Sequence, residues 1–133
     1  MKAVLPLLTL PVLLAACAPA SPRVEAPSPA ALRTSAAVAE QVRRCYRAPR
    51  VPSTGRGIVT RLFARYTADG ILVGLPLLVS QQGVTAESRP YASRMAEAAK
   101  LAVIRCSPVR LPPRANKKRG SDFVLTFSPR RTA

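Results

Sequence analysis

The 133-residue chain has no histidine, no tryptophan, three cysteines and only six acidic residues. Without histidine, the most common general base and the most common metal ligand are both absent. The six carboxylates are scattered along the chain, which disfavours a site built on paired carboxylates. These shortages place binding or structural roles ahead of catalysis. The sequence therefore predicts no enzyme activity, no cofactor and no metal site.

Basic residues are abundant by contrast. There are 21 Lys and Arg against 6 Asp and Glu, a formal net charge of +15. Such a charge favours anionic partners or surfaces. The length allows one domain of ordinary size, whose small core is only marginally stable without a covalent cross-link.

The first seventeen residues have the pattern of an export signal. Lys2 precedes about twelve apolar residues, too few to span a bilayer as an ordinary helix but typical of a secretory signal. The stretch ends at Leu14-Ala15-Ala16-Cys17, which resembles the bacterial lipobox. The resemblance implies cleavage after Ala16 and acylation of Cys17. A plain signal peptide with an incidental cysteine is the alternative.

Ala18 follows the lipobox cysteine. Lipoproteins of this class that lack Asp at that position usually move to the outer membrane, so we expect an anchor there that faces the periplasm. Acyl chains contribute ~0.8 kcal/mol per buried methylene, so two or three of them anchor a protein effectively permanently. Residues 1–16 are then the signal peptide, and residues 17–34 are the lipidated cysteine and a Pro- and Ala-rich tether.

Periodicity predicts one α+β domain over residues 35–129, in the order α-β-β-α-β, followed by a basic tail at 130–133. Thr34 or Ser35 is expected to cap the first helix, and Ser88 the second. Strands are expected at 57–67, 71–80 and 122–128, with an Asp69-Gly70 turn between the first two. Pro76 indicates an edge strand or a bulge.

Two cysteines remain in an exported chain once Cys17 is lipidated. Cys45 and Cys106 each lie on the apolar face of a predicted helix, and the periplasm is oxidising. We therefore expect a Cys45–Cys106 disulfide, which closes a loop worth about 4 kcal/mol in the chain-entropy model. Two buried free thiols are the alternative.

The ordered pattern resembles the C-terminal domain of TolA, within the TonB C-terminal group, and the alphaproteobacterial form most of all. The positions that carry the resemblance, spread over roughly residues 35–129, are Cys45-Tyr46, Pro49, Asp69-Gly70, Leu72, Gly74, Ala98-Ala99, Cys106, Leu111-Pro112-Pro113 and Leu125-Thr126-Phe127-Ser128-Pro129.

This resemblance implies a three-stranded antiparallel sheet with two helices on one face. It also implies a non-enzymatic periplasmic module that binds an envelope protein, with the Tol–Pal system as the source of candidates. TolA itself has an inner-membrane helix and a long stalk, whereas this sequence has a lipobox and a short tether, so force transmission between membranes is not carried over.

The first strand places Val59, Arg61, Phe63 and Arg65 on the face opposite the helices. A phenylalanine between two arginines is a plausible protein-binding spot, because aromatic residues and Arg dominate hot spots. Leu77, together with Leu75, extends this patch on the returning strand. The alternatives are that the C-terminal tail or the tether covers it, that Phe63 is an ordinary exposed residue, or that a partner adds a strand at a free sheet edge.

A basic loop and tail provide a second candidate surface. Arg114, Lys117, Lys118 and Arg119, with Arg130 and Arg131, could contact anionic lipid or lipopolysaccharide. A structural envelope factor that uses this basic face is therefore the alternative function, and a solvated loop is the plainer interpretation. Location in the envelope argues against nucleic acid as a partner.

Overall fold

A computed structural model describes residues 26–112 and 120–129, in the predicted order of helices and strands. The elements are α1 (Pro29–Cys45), a 3-10 helix (Ser53–Gly57), β1 (Val59–Tyr66), β2 (Leu77–Gln82), α2 (Arg89–Arg105) and β3 (Ser121–Phe127). The strands form an antiparallel sheet in the order β2-β1-β3, so β1 is central. The predicted α+β fold is confirmed.

Both helices pack on one face of the sheet. Successive side chains of a strand point to opposite faces, and β1 and β3 bury the alternate side chains that point towards the helices. The sheet contributes Leu62, Ala64, Tyr66, Phe123, Leu125 and Phe127 to the core. The helices contribute Val38, Val42, Ala99, Ala102 and Val103. The buried Thr60 hydroxyl accepts a hydrogen bond from Gln81 Nε2, which also donates to the Ala92 carbonyl and so ties β2 to α2.

The disulfide between Cys45 and Cys106 is present, as predicted, and joins the ends of the two helices with a Cα–Cα distance of 5.8 Å. A second tie lies beside it. The Gln41 amide donates to the Arg110 carbonyl at 2.9 Å and accepts from the Arg110 N–H at 2.7 Å. Together these contacts hold α1 against the chain that follows α2.

The first helix begins earlier than predicted. Ser28, rather than Thr34 or Ser35, is the N-cap, and its hydroxyl accepts from the Ala31 N–H. Pro29 occupies the first turn, where its missing N–H has no cost. The helix also ends at Cys45, so Tyr46 is buried from an extended position rather than from the helix face. Residues 29–34 of the predicted tether are therefore helical.

The second helix begins where predicted, but its cap works differently. Ser88 has a helical backbone, and its hydroxyl makes no cap bond to the helix. Instead, that hydroxyl accepts from the N–H of Thr85 at 2.8 Å, within the preceding loop. The buried Ser88 thus stabilises the approach to the helix rather than its first turn.

The returning strand is shorter than predicted and starts later. Only Leu77–Gln82 pairs with β1 as a strand, and Leu72 forms a single bridge to Tyr66. A bulge lies within β2, because the register shifts between the Arg61–Ser80 and Leu62–Leu78 pairs and leaves Val79 unpaired. Pro76 thus directly precedes a strand that lies at the edge of the sheet and contains a bulge.

Candidate functional site

The face of the sheet opposite the helices, which we call the outer face, has no described element packed over it. Register determines its rows, because directly paired residues project from the same side. Phe63 pairs with Leu77 on one side and with Val124 on the other. Arg65 pairs with Asp122 in the next row of β1 and β3. The outer face therefore has a short apolar row across all three strands.

The apolar row is accessible at both ends and partly covered in the middle. Leu77 and Val124 are exposed, and Phe63 is half-buried. A phenylalanine side chain has only two rotatable torsions, and Phe63 lies between Leu77 and Val124 in the register. A rigid aromatic side chain of this kind loses little conformational entropy when a partner covers it.

Arg65 fixes one side of the row. Its Nε and Nη2 donate to the two carboxylate oxygens of Asp122 at 2.7 and 3.0 Å, a bidentate pair. The same guanidinium lies over Phe63, with Cζ 5.7 Å from the ring centroid, within cation–π range. The hydrogen bonds from Arg65, aided by its positive charge, hold the pKa of Asp122 below its ordinary value.

Arg61 lies on the other side of the row and differs from Arg65. It is exposed, and no carboxylate among residues 26–112 and 120–129 forms an ion pair with it. The outer face thus combines a fixed, neutralised Arg65–Asp122 pair, an apolar row and an accessible cation. This arrangement can bind an apolar side chain and a nearby acidic group.

The structure brings together the four residues expected from sequence to bind a partner. Arg61, Phe63 and Arg65 project from the outer face, and Leu77 lies directly beside Phe63. Leu75 is exposed but lies outside the strand.

Sequence reasoning missed two members of the outer face, Val124 and Asp122. The alternation of β3 places both on its polar side, but only the pairing of β3 with β1 puts them beside Phe63 and Arg65. The predicted lipidation residue Cys17 and the basic cluster of Arg114, Lys117, Lys118 and Arg119 lie outside the described residues.

An open groove of about 1090 Å³ lies between the first half of α1, the chain that follows α2 and the start of β3, and Asp122 is part of its lining. Small side chains such as Ala30, Ala31 and Ala37 form much of its helix wall. Arg33 and Arg110 also line it. Among the described residues there is no group of three or more Cys, Asp or Glu that could hold a metal ion.

Comparison with known proteins adds no family assignment: no protein-family model, curated protein or solved structure matches the chain. In the part of the chain that the structure describes, no helix is long and apolar enough to cross a membrane.

Proposed function

We propose that this protein is a non-enzymatic protein-binding module, anchored by an N-terminal lipid to the periplasmic face of the outer membrane. Its partner is an envelope protein, and the outer face is the binding surface. The single observation that supports this most is the row of Leu77, Phe63 and Val124 between Arg61 and the Arg65–Asp122 pair. The resemblance to TolA makes components of the Tol–Pal system the first candidates.

The composition of the outer face supports a protein partner. Hot spots are enriched in aromatic residues and Arg and cluster where water is excluded. Phe63 and two arginines occupy the central strand, with aliphatic neighbours on both sides that can exclude water around the ring. None of these side chains belongs to the hydrophobic core, so all of them are available to contact a partner.

The lipobox pattern at Leu14-Ala15-Ala16-Cys17 supports the anchor, and Ala18 supports the outer membrane as destination. The Cys45–Cys106 disulfide is consistent with an oxidising compartment.

A photo-crosslinking residue at position 63, introduced into the full chain in cells, tests the proposal. We expect one dominant protein adduct, whose partner peptide mass spectrometry identifies. The control places the same residue at Leu101, an exposed aliphatic position on α2. Absence of a protein adduct at position 63, in a folded and membrane-located protein, would contradict the outer face as the binding surface.

The substitution Phe63→Glu then tests the role of the apolar row. It should leave the fold intact, since Phe63 is not in the core, and reduce capture of the identified partner at least tenfold. Leu101→Glu is the matched control and should leave capture unchanged. Capture that survives Phe63→Glu would rule out this surface.

A structural envelope factor that binds anionic lipid or lipopolysaccharide is the second candidate, favoured by the net charge of +15. That function predicts binding to lipopolysaccharide that falls steeply as salt is added. It also predicts that Phe63→Glu does not change binding to lipopolysaccharide. The same variant therefore distinguishes the two candidate functions.

A further inference from the structure

One edge of the domain exposes large aliphatic side chains, on residues that flank Leu77 of the apolar row in the chain. Leu75 is 77% exposed, and four others are between 46% and 54% exposed: Ile71, Val73, Leu78 and Val79. We call these five residues the aliphatic rim. Single exposed aliphatic residues are ordinary on a protein surface, but five of them within nine consecutive residues, 71–79, are a candidate interaction site. Residues 71–86 contain no charged side chain at all.

The backbone between Leu72 and Leu77, in the first part of the rim, departs from regular pairing with β1. From the Tyr66–Leu72 bridge to the Phe63–Leu77 pair, β1 advances three residues while the returning chain advances five. The extra length is accommodated at Gly74, whose φ of 68° is in the left-handed region. Pro76 is buried within this segment, and Leu75 is its most exposed large aliphatic residue.

The rim is poorly suited to accept another strand. Native sheets block their edges with short strands, prolines and bulges. All three devices are present, because β2 has six residues, follows Pro76 and bulges at Val79. Strand addition by a peptide or by a second copy is therefore disfavoured here, and what the rim offers is its side chains.

The side chains and charge favour lipid over protein as the occupant. Leu and Val are under-represented among protein hot spots, and the rim has no Trp, Tyr or Arg. Two copies of a chain with a net charge of +15 repel each other, whereas an anionic lipid surface attracts it. The adjacent strand β1 carries Arg61, whose charge no described carboxylate pairs, whereas Arg65 is paired with Asp122.

We propose that the aliphatic rim inserts shallowly into an anionic phospholipid leaflet. Interfacial amphipathic helices reach roughly 5–10 Å into the boundary between headgroups and acyl chains, and the proposed depth of the rim is similar. At that depth the unpaired backbone groups of the β2 edge stay in the hydrated headgroup region, which avoids burying them in hydrocarbon. The proposal is independent of the protein partner, and it requires the lipid anchor only to keep the domain near the leaflet.

Photo-crosslinking at position 75 of the full chain tests this directly, in cells whose phospholipids carry radioactive phosphate. We expect a labelled phospholipid adduct at position 75, and at least tenfold less at the control position Leu101. An adduct of twice the chain mass, an adduct with another protein, or no adduct would overturn the proposal. The crosslinker at position 63 tests the protein partner in a separate experiment. Failure of the partner proposal and failure of the lipid proposal are therefore distinguished.

A variant shows whether the rim itself drives the contact. With the crosslinker at position 78, Leu75→Asp should lower the labelled adduct at least fivefold, because it places a charge at the most exposed point. Leu101→Asp is the matched control and should have no effect. Thermal melting of each variant confirms the fold, and an unchanged adduct in folded Leu75→Asp would overturn insertion.

Discussion

At the scale of single residues, the most unusual groups are two buried tyrosines. The hydroxyls of Tyr46 and Tyr66 are buried with no hydrogen-bond partner among the described residues. Burial raises the pKa of Tyr46, and it raises the pKa of Tyr66 from 10.0 to about 12. Their rings pack against phenylalanines of β3, at centroid distances of 5.1 Å for Tyr46–Phe127 and 6.0 Å for Tyr66–Phe123.

Tyr66→Phe tests whether the buried hydroxyl destabilises the domain. Removing an unpartnered hydroxyl should keep or raise stability at neutral pH, by up to about 1 kcal/mol. Denaturant unfolding at neutral pH measures it. A loss of more than about 1 kcal/mol would mean that the hydroxyl has a partner.

Tyr66→Phe also tests how the stability of the domain depends on pH in alkaline solution. The pKa of Tyr66 is higher in the folded chain than its unfolded value of 10.0, so the folded state favours the protonated hydroxyl. The contribution of this protonation to the free energy of unfolding is fully present below pH 10 and is lost as the pH rises towards 12. The wild type should therefore lose stability across that window, and Tyr66→Phe should lose less. Unfolding followed by circular dichroism between pH 9 and about 12 measures both proteins, and identical losses would contradict the assignment.

At the scale of elements, the turn after β1 depends on a close backbone approach. Gly70 has a φ of 81°, and its carbonyl accepts from the Val109 N–H at 2.8 Å. A Cβ there would collide with the Val109 carbonyl oxygen, whereas a Cβ at Gly74 would meet nothing within 4 Å.

Gly70→Ala should consequently destabilise the domain far more than Gly74→Ala. The second substitution adds only the left-handed backbone penalty, about 1–2 kcal/mol, while the first adds a steric clash with backbone and should exceed it by at least about 1 kcal/mol. Denaturant unfolding of both variants measures the difference. Equal losses would mean that the turn shifts away from Val109.

The disulfide is the second feature at this scale. Cys106→Ser should lower the melting temperature sharply in non-reducing buffer, since a bond across 61 residues is worth about 4 kcal/mol in the chain-entropy model. With reductant present, wild type and variant should melt within a few degrees of each other. Equal destabilisation by the substitution under both conditions would contradict the stabilising bond.

Prediction of elements from sequence succeeded where periodicity is long and failed where local chemistry competes. The alternation in β1 and β3 was sufficient, because a single-residue slip would expose the whole inner face. The start of α1 is not evident from sequence, because Ser28-Pro29 lies within a Pro-rich stretch that is typical of a tether, although it also fits the cap and first turn of a helix. For β2, the apolar stretch that begins at Ile71 predicts one long strand, but Gly74 and Pro76 interrupt it and pairing as a strand begins only at Leu77.

At the scale of the whole molecule, the start of α1 at Pro29 changes the geometry of the proposed anchor. Only residues 18–28 then separate the lipidated cysteine from the helix, and such a segment reaches at most about 40 Å when fully extended. The proposed anchor would therefore keep the domain near the leaflet, within reach for contact by the aliphatic rim.

The proposed acylation of Cys17 can be tested directly. In cells supplied with labelled palmitate, the wild-type chain should incorporate label and fractionate with the outer membrane. Cys17→Ser should incorporate none and leave the outer-membrane fraction. Label retained in Cys17→Ser, or none in the wild type, would contradict the lipobox interpretation.

The sequence by itself determined the order of elements, the inner and outer sides of β1 and β3, and the Cys45–Cys106 pair. Each depends on local periodicity or on the scarcity of alternatives among three cysteines. The tertiary structure alone decided that β1 is central, that Val124 and Asp122 lie beside Phe63 and Arg65, and that Gln41 holds Arg110. It also decided that the returning chain pairs with β1 as a strand only from Leu77 to Gln82. These features depend on contacts between residues distant in the chain, which no local pattern encodes.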